Sequence, residues 1–173
     1  MRYQVTMLEV FFDGSCIPND RTGIPCYAFI VKKDGRTIHS SHGLAGKPNS
    51  HEATNSVAEY VALIKALEWL KANHYSSVRE GETSSPLFSS AERAQNPSLQ
   101  DKITIRGDSA LVVKQVTGEF KVRTPHIRPL HKKAMTLMAQ FRNLSITLIP
   151  RENNSEADRL SYKAYKEARM ALQ

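Results

Sequence analysis

Apolar and polar residues along this chain change their period several times, and each change marks an element. Residues 5–12 form a run rich in β-branched and aromatic side chains, which predicts a first strand ending on Asp13. The turn-rich segment CIPNDRTGIP follows, and residues 27–32 predict a second strand. Lys33-Asp34-Gly35-Arg36 is a hairpin signal, so residues 37–44 become a third, antiparallel strand. Then the period lengthens. Val57, Tyr60, Val61, Ile64, Leu67 and Leu70 recur at three and four, the spacing of an amphipathic helix.

Residues 76–101 are polar and serine-rich without sustained period, and read as a flexible insertion in a single domain covering residues 1–173. Order resumes with a short strand from Ile103 and a brief helix through Leu111, Val112 and Gln115. A helix over residues 126–142 comes next, then a strand in NLSITLIP. The closing helix takes Ser155 as its N-cap with Asp158 three residues on, a capping-box-like arrangement. The order βββαβααβα implies an α/β fold, a mixed sheet with helices on its faces.

Composition adds a partner class. The chain has 173 residues, a net charge of +7 and a pI near 9.5, which favours a polyanion. Two cysteines, Cys16 and Cys26, cannot build a disulfide framework, and no Cys/His cluster has zinc spacing. No window approaches the roughly 18 apolar residues of a membrane span, so the expectation is a soluble, unprocessed, cytoplasmic protein.

Four carboxylates stand at structural boundaries: Asp13 after the first strand, Glu59 early in the long helix, Asp108 after the fourth strand and Asp158 at the start of the last helix. Singly, each has a plain explanation. Asp13-Gly14 is a common turn pair, Asp108 and Asp158 could cap helices, and Glu59 could mark a helix boundary. Together they suggest more, because parallel first and fourth strands would bring Asp13 and Asp108 out side by side. Clustered carboxylates repel unless neutralised, and hard divalent cations with oxygen ligands do that: Mg²⁺, or Mn²⁺ in its place. Two such ions about 4 Å apart can drive phosphodiester hydrolysis.

The words around the acids carry a resemblance. FFDGSC, ATNSVAEYVALIKALEWL, IRGDSALVVKQ and PRENNSEADRLS, in that order, resemble the signatures of the type 1 ribonuclease H family, in its archaeal and bacterial branch without an extended basic protrusion. The resemblance implies a five-stranded mixed sheet of order 3-2-1-4-5 and an endonuclease that cuts the RNA strand of RNA/DNA hybrids, leaving 3′-hydroxyl and 5′-phosphate ends. It implies Asp13, Glu59, Asp108 and Asp158 as metal-binding catalytic residues, with Asp13 bridging two ions. Glu59 and Asp108 would complete the ion beside the leaving group, and Asp158 the ion that activates water. Gly14, Ser15, Cys16, Asn19, Thr54, Asn55 and Ser109 match positions that read 2′-hydroxyls or grip DNA phosphate.

The chain also departs from the family pattern. Ser56 stands where many members have Asn, Ala110 where many have Gln, and no histidine precedes Asp158, which leaves Arg151 and Glu152 as candidate auxiliaries. Lys114, Lys121, Arg123, Arg128, Lys132 and Lys133 form a basic stretch that could follow DNA phosphates or simply face water. His126 and His131 read as surface residues, and Tyr60 and Trp69 as core. Double-stranded RNA as substrate, a polynucleotide transferase and an inactive nucleic-acid-binding homologue are the alternatives. The expected working unit is a monomer.

Overall fold

The computed structural model describes residues 7–73, 75 and 102–173. The segment 76–101 expected as an insertion lies outside them. Five strands form one sheet: β1 (Met7–Ile17), β2 (Ile24–Lys33), β3 (Arg36–Leu44), β4 (Lys102–Gly107) and β5 (Leu144–Leu148). Their order is β3-β2-β1-β4-β5, as expected. β2 and β3 are joined at Asp34 and Gly35, whose φ angles of 49° and 77° are the positive pair that a tight primed hairpin turn requires. β1, β4 and β5 run parallel, so the connections between them cross over through helices.

Four helices are found among the described residues: α1 (Asn55–Ala72), α2 (Ala110–Val116), α3 (Arg128–Met138) and α4 (Ser155–Ala171). α1 packs on β1 and β2 and is covered in turn by α3. Being enclosed on both sides explains why Ala58, Ala62, Leu63 and Ala66 are buried along with the expected stripe. Leu8, Val10 and Phe12 of β1, with Ile103 and Ile105 of β4, meet Tyr60, Leu63, Leu67 and Leu70 in the main core. Alternation along β1 supplies this, since every second residue points to the same face. α4 lies against β1, β2 and β3.

Three expectations need correction. β1 does not end at Asp13; its antiparallel ladder with β2 continues through Asp13↔Ala28 to Ile17↔Ile24, whereas its parallel pairing with β4 stops at Phe11↔Arg106. Asp13 therefore sits where β4 departs from a strand that goes on. α3 is shorter than expected, with Pro129 in its first turn and its end at Met138, after which Phe141 folds back into the core. Ser155 is not the N-cap of α4, because a 3₁₀ turn over Arg151–Asn154 precedes the helix and Asn154 takes the cap position.

Gly14 sets how closely α1 can approach β1. A Cβ there would lie 2.1 Å from the Glu59 backbone nitrogen and 2.2 Å from the Ala58 carbonyl carbon, both rigid backbone. Gly14→Ala should push α1 off the sheet and cost roughly 3 kcal/mol or more of unfolding free energy, read by urea denaturation. An unchanged midpoint would contradict this packing.

Candidate metal centre

The notch where β4 leaves β1 collects the acids. β1 carries Asp13, the residue after β4 is Asp108, and α1 brings in Glu59 from the helix that Gly14 admits. One carboxylate oxygen from each lies within 4.8 Å of the others. Asp158 does not join them at that distance. Its carboxylate is 2.8 Å from the Arg151 guanidinium, on the rim of the site.

Burial and mutual repulsion both disfavour charge here. Asp13 is 5% exposed, and desolvation raises its pKa from the ordinary 3.8 to about 6, opposed by the Ser161 hydroxyl and reinforced by Asp108 and Asp158. Glu59 is raised well above its usual range by burial first, then by Asp13 and Asp108, while a hydrogen bond from the Gly14 N–H pulls the other way. Arg151 lowers both, too weakly to cancel the burial.

Hard divalent cations fit this donor set. The groups are all oxygen donors with little preference for soft metals, and Glu59 Oε2 is buried with no hydrogen-bond partner, as expected of an atom left for a ligand. Asp13, Glu59 and Asp108 are thus the residues that could hold Mg²⁺ or Mn²⁺, with Asp158 available beside them.

The residues expected to touch substrate surround the notch in mixed roles. Asn55 ties the end of β1 to α1: its Oδ1 accepts from the Cys16 N–H at 2.7 Å, and its own N–H donates to Asn19 Oδ1 at 2.9 Å. Thr54 caps α1 through Val57 N–H at 3.2 Å, and Ser109 occupies the N-cap position of α2. Cys16 is 3% exposed with its Sγ 3.4 Å from the Pro18 carbonyl, so only its backbone can serve a groove contact. Ser15 Oγ is buried without a partner. Of the two candidate auxiliaries, Arg151 pairs with Asp158, and Glu152 is exposed on the 3₁₀ turn.

Thr54, the N-cap of α1, and Ser56 in its first turn face Lys121, Arg123, Thr124 and His126 across a cleft of about 390 Å³. Part of the basic stretch therefore lines a cleft at the start of α1, the helix that carries Glu59. Tyr60 is fully buried and donates to Gln115 Oε1 at 2.8 Å, and Trp69 stacks on His39 at 4.6 Å, so neither is a free platform.

Two buried polar residues escaped the sequence reading. Asn154 donates from Nδ2 to the Phe12 carbonyl at 2.9 Å and to Asp108 at 2.6 Å, fixing β1, Asp108 and the start of α4 together. Ser161 donates to Asp13 Oδ2. Its signal was present, since Ser161 falls on the apolar face defined by Ala157 and Ala164.

Known proteins resemble this chain in sequence and fold. Residues 92–164 match the family described as reverse transcriptase-like. The ribonuclease HI of Halobacterium salinarum is 30% identical over 161 residues, covering 93% of this chain and 65% of that relative. The chain thus spans just under two thirds of that relative's length, and 28% of a bifunctional mycobacterial protein it also matches. Among solved structures, the N-terminal RNase H domain of the Mycobacterium tuberculosis protein superposes with a TM-score of 0.73 at 25% identity, covering 97% of this chain and 99% of that one. An RNase H1 in complex with RNA/DNA hybrid, LC11-RNase H1, has a TM-score of 0.69 at 28% identity, covering 93% and 98%.

The raised Asp13 pKa has a measurable sign. A folded-state value above the unfolded one means that the native state holds the proton more tightly, so this contribution is complete below about pH 4 and is lost as pH rises through about 6. In EDTA near neutral pH, Asp13→Asn should melt above the wild type, by about 3 kcal/mol at most. The gap should close as pH falls toward about 4. Parallel melting curves across this range would contradict the burial described.

Proposed function

Because the chain belongs to the type 1 ribonuclease H family, we propose that it is an endonuclease that hydrolyses the RNA strand of RNA/DNA hybrids, leaving 5′-phosphate and 3′-hydroxyl ends. The observation that carries this reading is the convergence of Asp13, Glu59 and Asp108 within 4.8 Å, with a cleft lined by Lys121 and Arg123 at the start of α1, the helix that carries Glu59. Acid cluster and basic wall together suit a phosphodiester that must be held and cut.

Mg²⁺, or Mn²⁺ in its place, bound as a pair, supplies an activated water and neutralises charge at the scissile phosphate and leaving oxygen. Asp13, central and most enclosed by neighbours, is the residue suited to bridge the two positions. Glu59 and Asp108 would help hold the one beside the leaving group. Asp158 would help hold the one beside water; there it would give up Arg151, leaving the guanidinium free for substrate phosphate. All four acids come from one chain, so a monomer suffices.

Choice of RNA over DNA requires contact with the 2′-hydroxyl. The Gly14–Cys16 backbone and the side-chain amides of Asn19 and Asn55, linked at the end of β1, are the groups assigned to it here. Lys121, Arg123 and Thr54 are assigned to phosphate of the DNA strand. No helix among the described residues is long and apolar enough to cross a membrane. The free, buried thiols of Cys16 and Cys26 suit a reducing cytoplasm.

Purified protein incubated with labelled RNA/DNA hybrid, double-stranded RNA and double-stranded DNA should cut only the RNA of the hybrid, with Mg²⁺ or Mn²⁺ and not with EDTA. Asp13→Asn should reduce the rate by roughly two to three orders of magnitude or more. Cleavage undiminished in that variant, or preference for double-stranded RNA, would sink the reading. Lys121→Ala and Arg123→Ala should each weaken hybrid binding and reduce the salt slope of log affinity by about 1. Fluorescence anisotropy at several salt concentrations measures it, and an unchanged slope removes these residues from the phosphate path.

A further inference from the structure

Ser161 lies one turn beyond Asp158 on the buried face of α4 and is 1% exposed. Its Oγ donates to Asp13 Oδ2 and also lies 3.0 Å from the Asp158 carbonyl. A helical serine commonly satisfies itself on a carbonyl of the preceding turn, and such a carbonyl is within reach here. The hydroxyl nevertheless has only one hydrogen, and an ionised carboxylate is the stronger acceptor. The contact crosses from helix to sheet.

Asp13 needs such a contact for a geometric reason. β1 fixes where its Cβ stands, paired opposite Ala28, but the terminal torsion of an aspartate is broad and roughly two-fold. The strand therefore does not fix the plane of the two oxygens. A metal ligand must be held within about 0.5 Å and 10–20° of its working geometry. Asn154 performs the matching task on Asp108, reaching it from the turn before the same helix.

We propose that Ser161 is a positioning residue that fixes the carboxylate plane of Asp13, so that Asp13 meets Glu59 and Asp108 in the arrangement that receives a divalent cation. The inference rests on the metal-dependent reading above and assigns α4 a role beyond carrying Asp158. Serine and alanine differ by one oxygen, so Ser161→Ala removes the donor while leaving the packing of the helix in place.

Calorimetric titration of Mn²⁺ into the protein without nucleic acid tests it, alongside thermal melts in EDTA. Ser161→Ala should bind Mn²⁺ about 10-fold more weakly than the wild type. Ser161→Thr, which keeps the hydroxyl, should stay closer to the wild type than to Ser161→Ala. A serine that merely fastens α4 to the sheet would lower the melting temperature of Ser161→Ala without moving its Mn²⁺ affinity. That result, with Mn²⁺ binding lost in Asp13→Asn, would overturn the inference and leave the metal site standing. A wild-type protein that takes up no Mn²⁺ would overturn the metal reading and this inference with it.

Discussion

Desolvation and mutual repulsion of clustered carboxylates are the constraint on which this structure turns. Asp13, Glu59 and Asp108 bring oxygens within 4.8 Å of one another, where two charges interact by about 3.5 kcal/mol at an effective dielectric of about 20. Hydrogen bonds to charged groups return about 1.5–3 kcal/mol each. The Gly14 N–H on Glu59, Asn154 on Asp108 and Ser161 on Asp13 are therefore comparable with the repulsion but do not remove it, least of all after desolvation. The raised Asp13 and Glu59 pKa values express burial first and this repulsion second. Divalent cations are the natural counterweight, and the same ions are what phosphodiester hydrolysis needs.

The fold makes this arrangement rigid by distributing it over elements that do not move independently. β1 is held by β2 through and beyond Asp13, while β4 departs after Phe11↔Arg106 and leaves Asp108 in the gap. α1 can lie close enough to present Glu59 only because position 14 has no side chain. α4 then closes the site from the other side of the sheet, through Asn154 and Ser161. The basic cleft adjoins the α1 terminus that Thr54 caps, so the elements that build the acid cluster also border the surface assigned to the duplex.

Much of this was legible in the chain. The β-branched and aromatic run of residues 5–12 and the three-four spacing after Val57 are local properties that packing did not override, and they led to the first strand and the long helix, while the family resemblance supplied the sheet order. Asp13 as a strand end was not legible correctly, because the continuation of β1 depends on pairing with β2, a non-local partner. Ser155 looked like a cap by local rules, whereas Asn154 takes the cap position and its amide turns away to reach Phe12 and Asp108. Cys16 matched a substrate position by its surrounding word, yet its thiol is buried. Asp158 belonged with the other acids by motif, and the geometry shows it paired with Arg151 at the rim. For β1 and Asn154 the missing information was which group faces which across elements distant in sequence, and for Asp158 it was the partner that Arg151 offers only seven residues away.

In the proposed function, Asp13, Glu59 and Asp108 would hold divalent cations against the RNA strand of a hybrid. Anomalous diffraction from crystals of the Asp13→Asn protein would test a weakened site, so the direct measurement uses wild-type protein with Mn²⁺ and a hybrid whose RNA strand resists cleavage. The account predicts anomalous density bounded by these three carboxylates and an RNA phosphate, with the DNA strand passing the Lys121 and Arg123 cleft. Manganese bound elsewhere, or a hybrid lying away from the notch between β1 and β4, would contradict it.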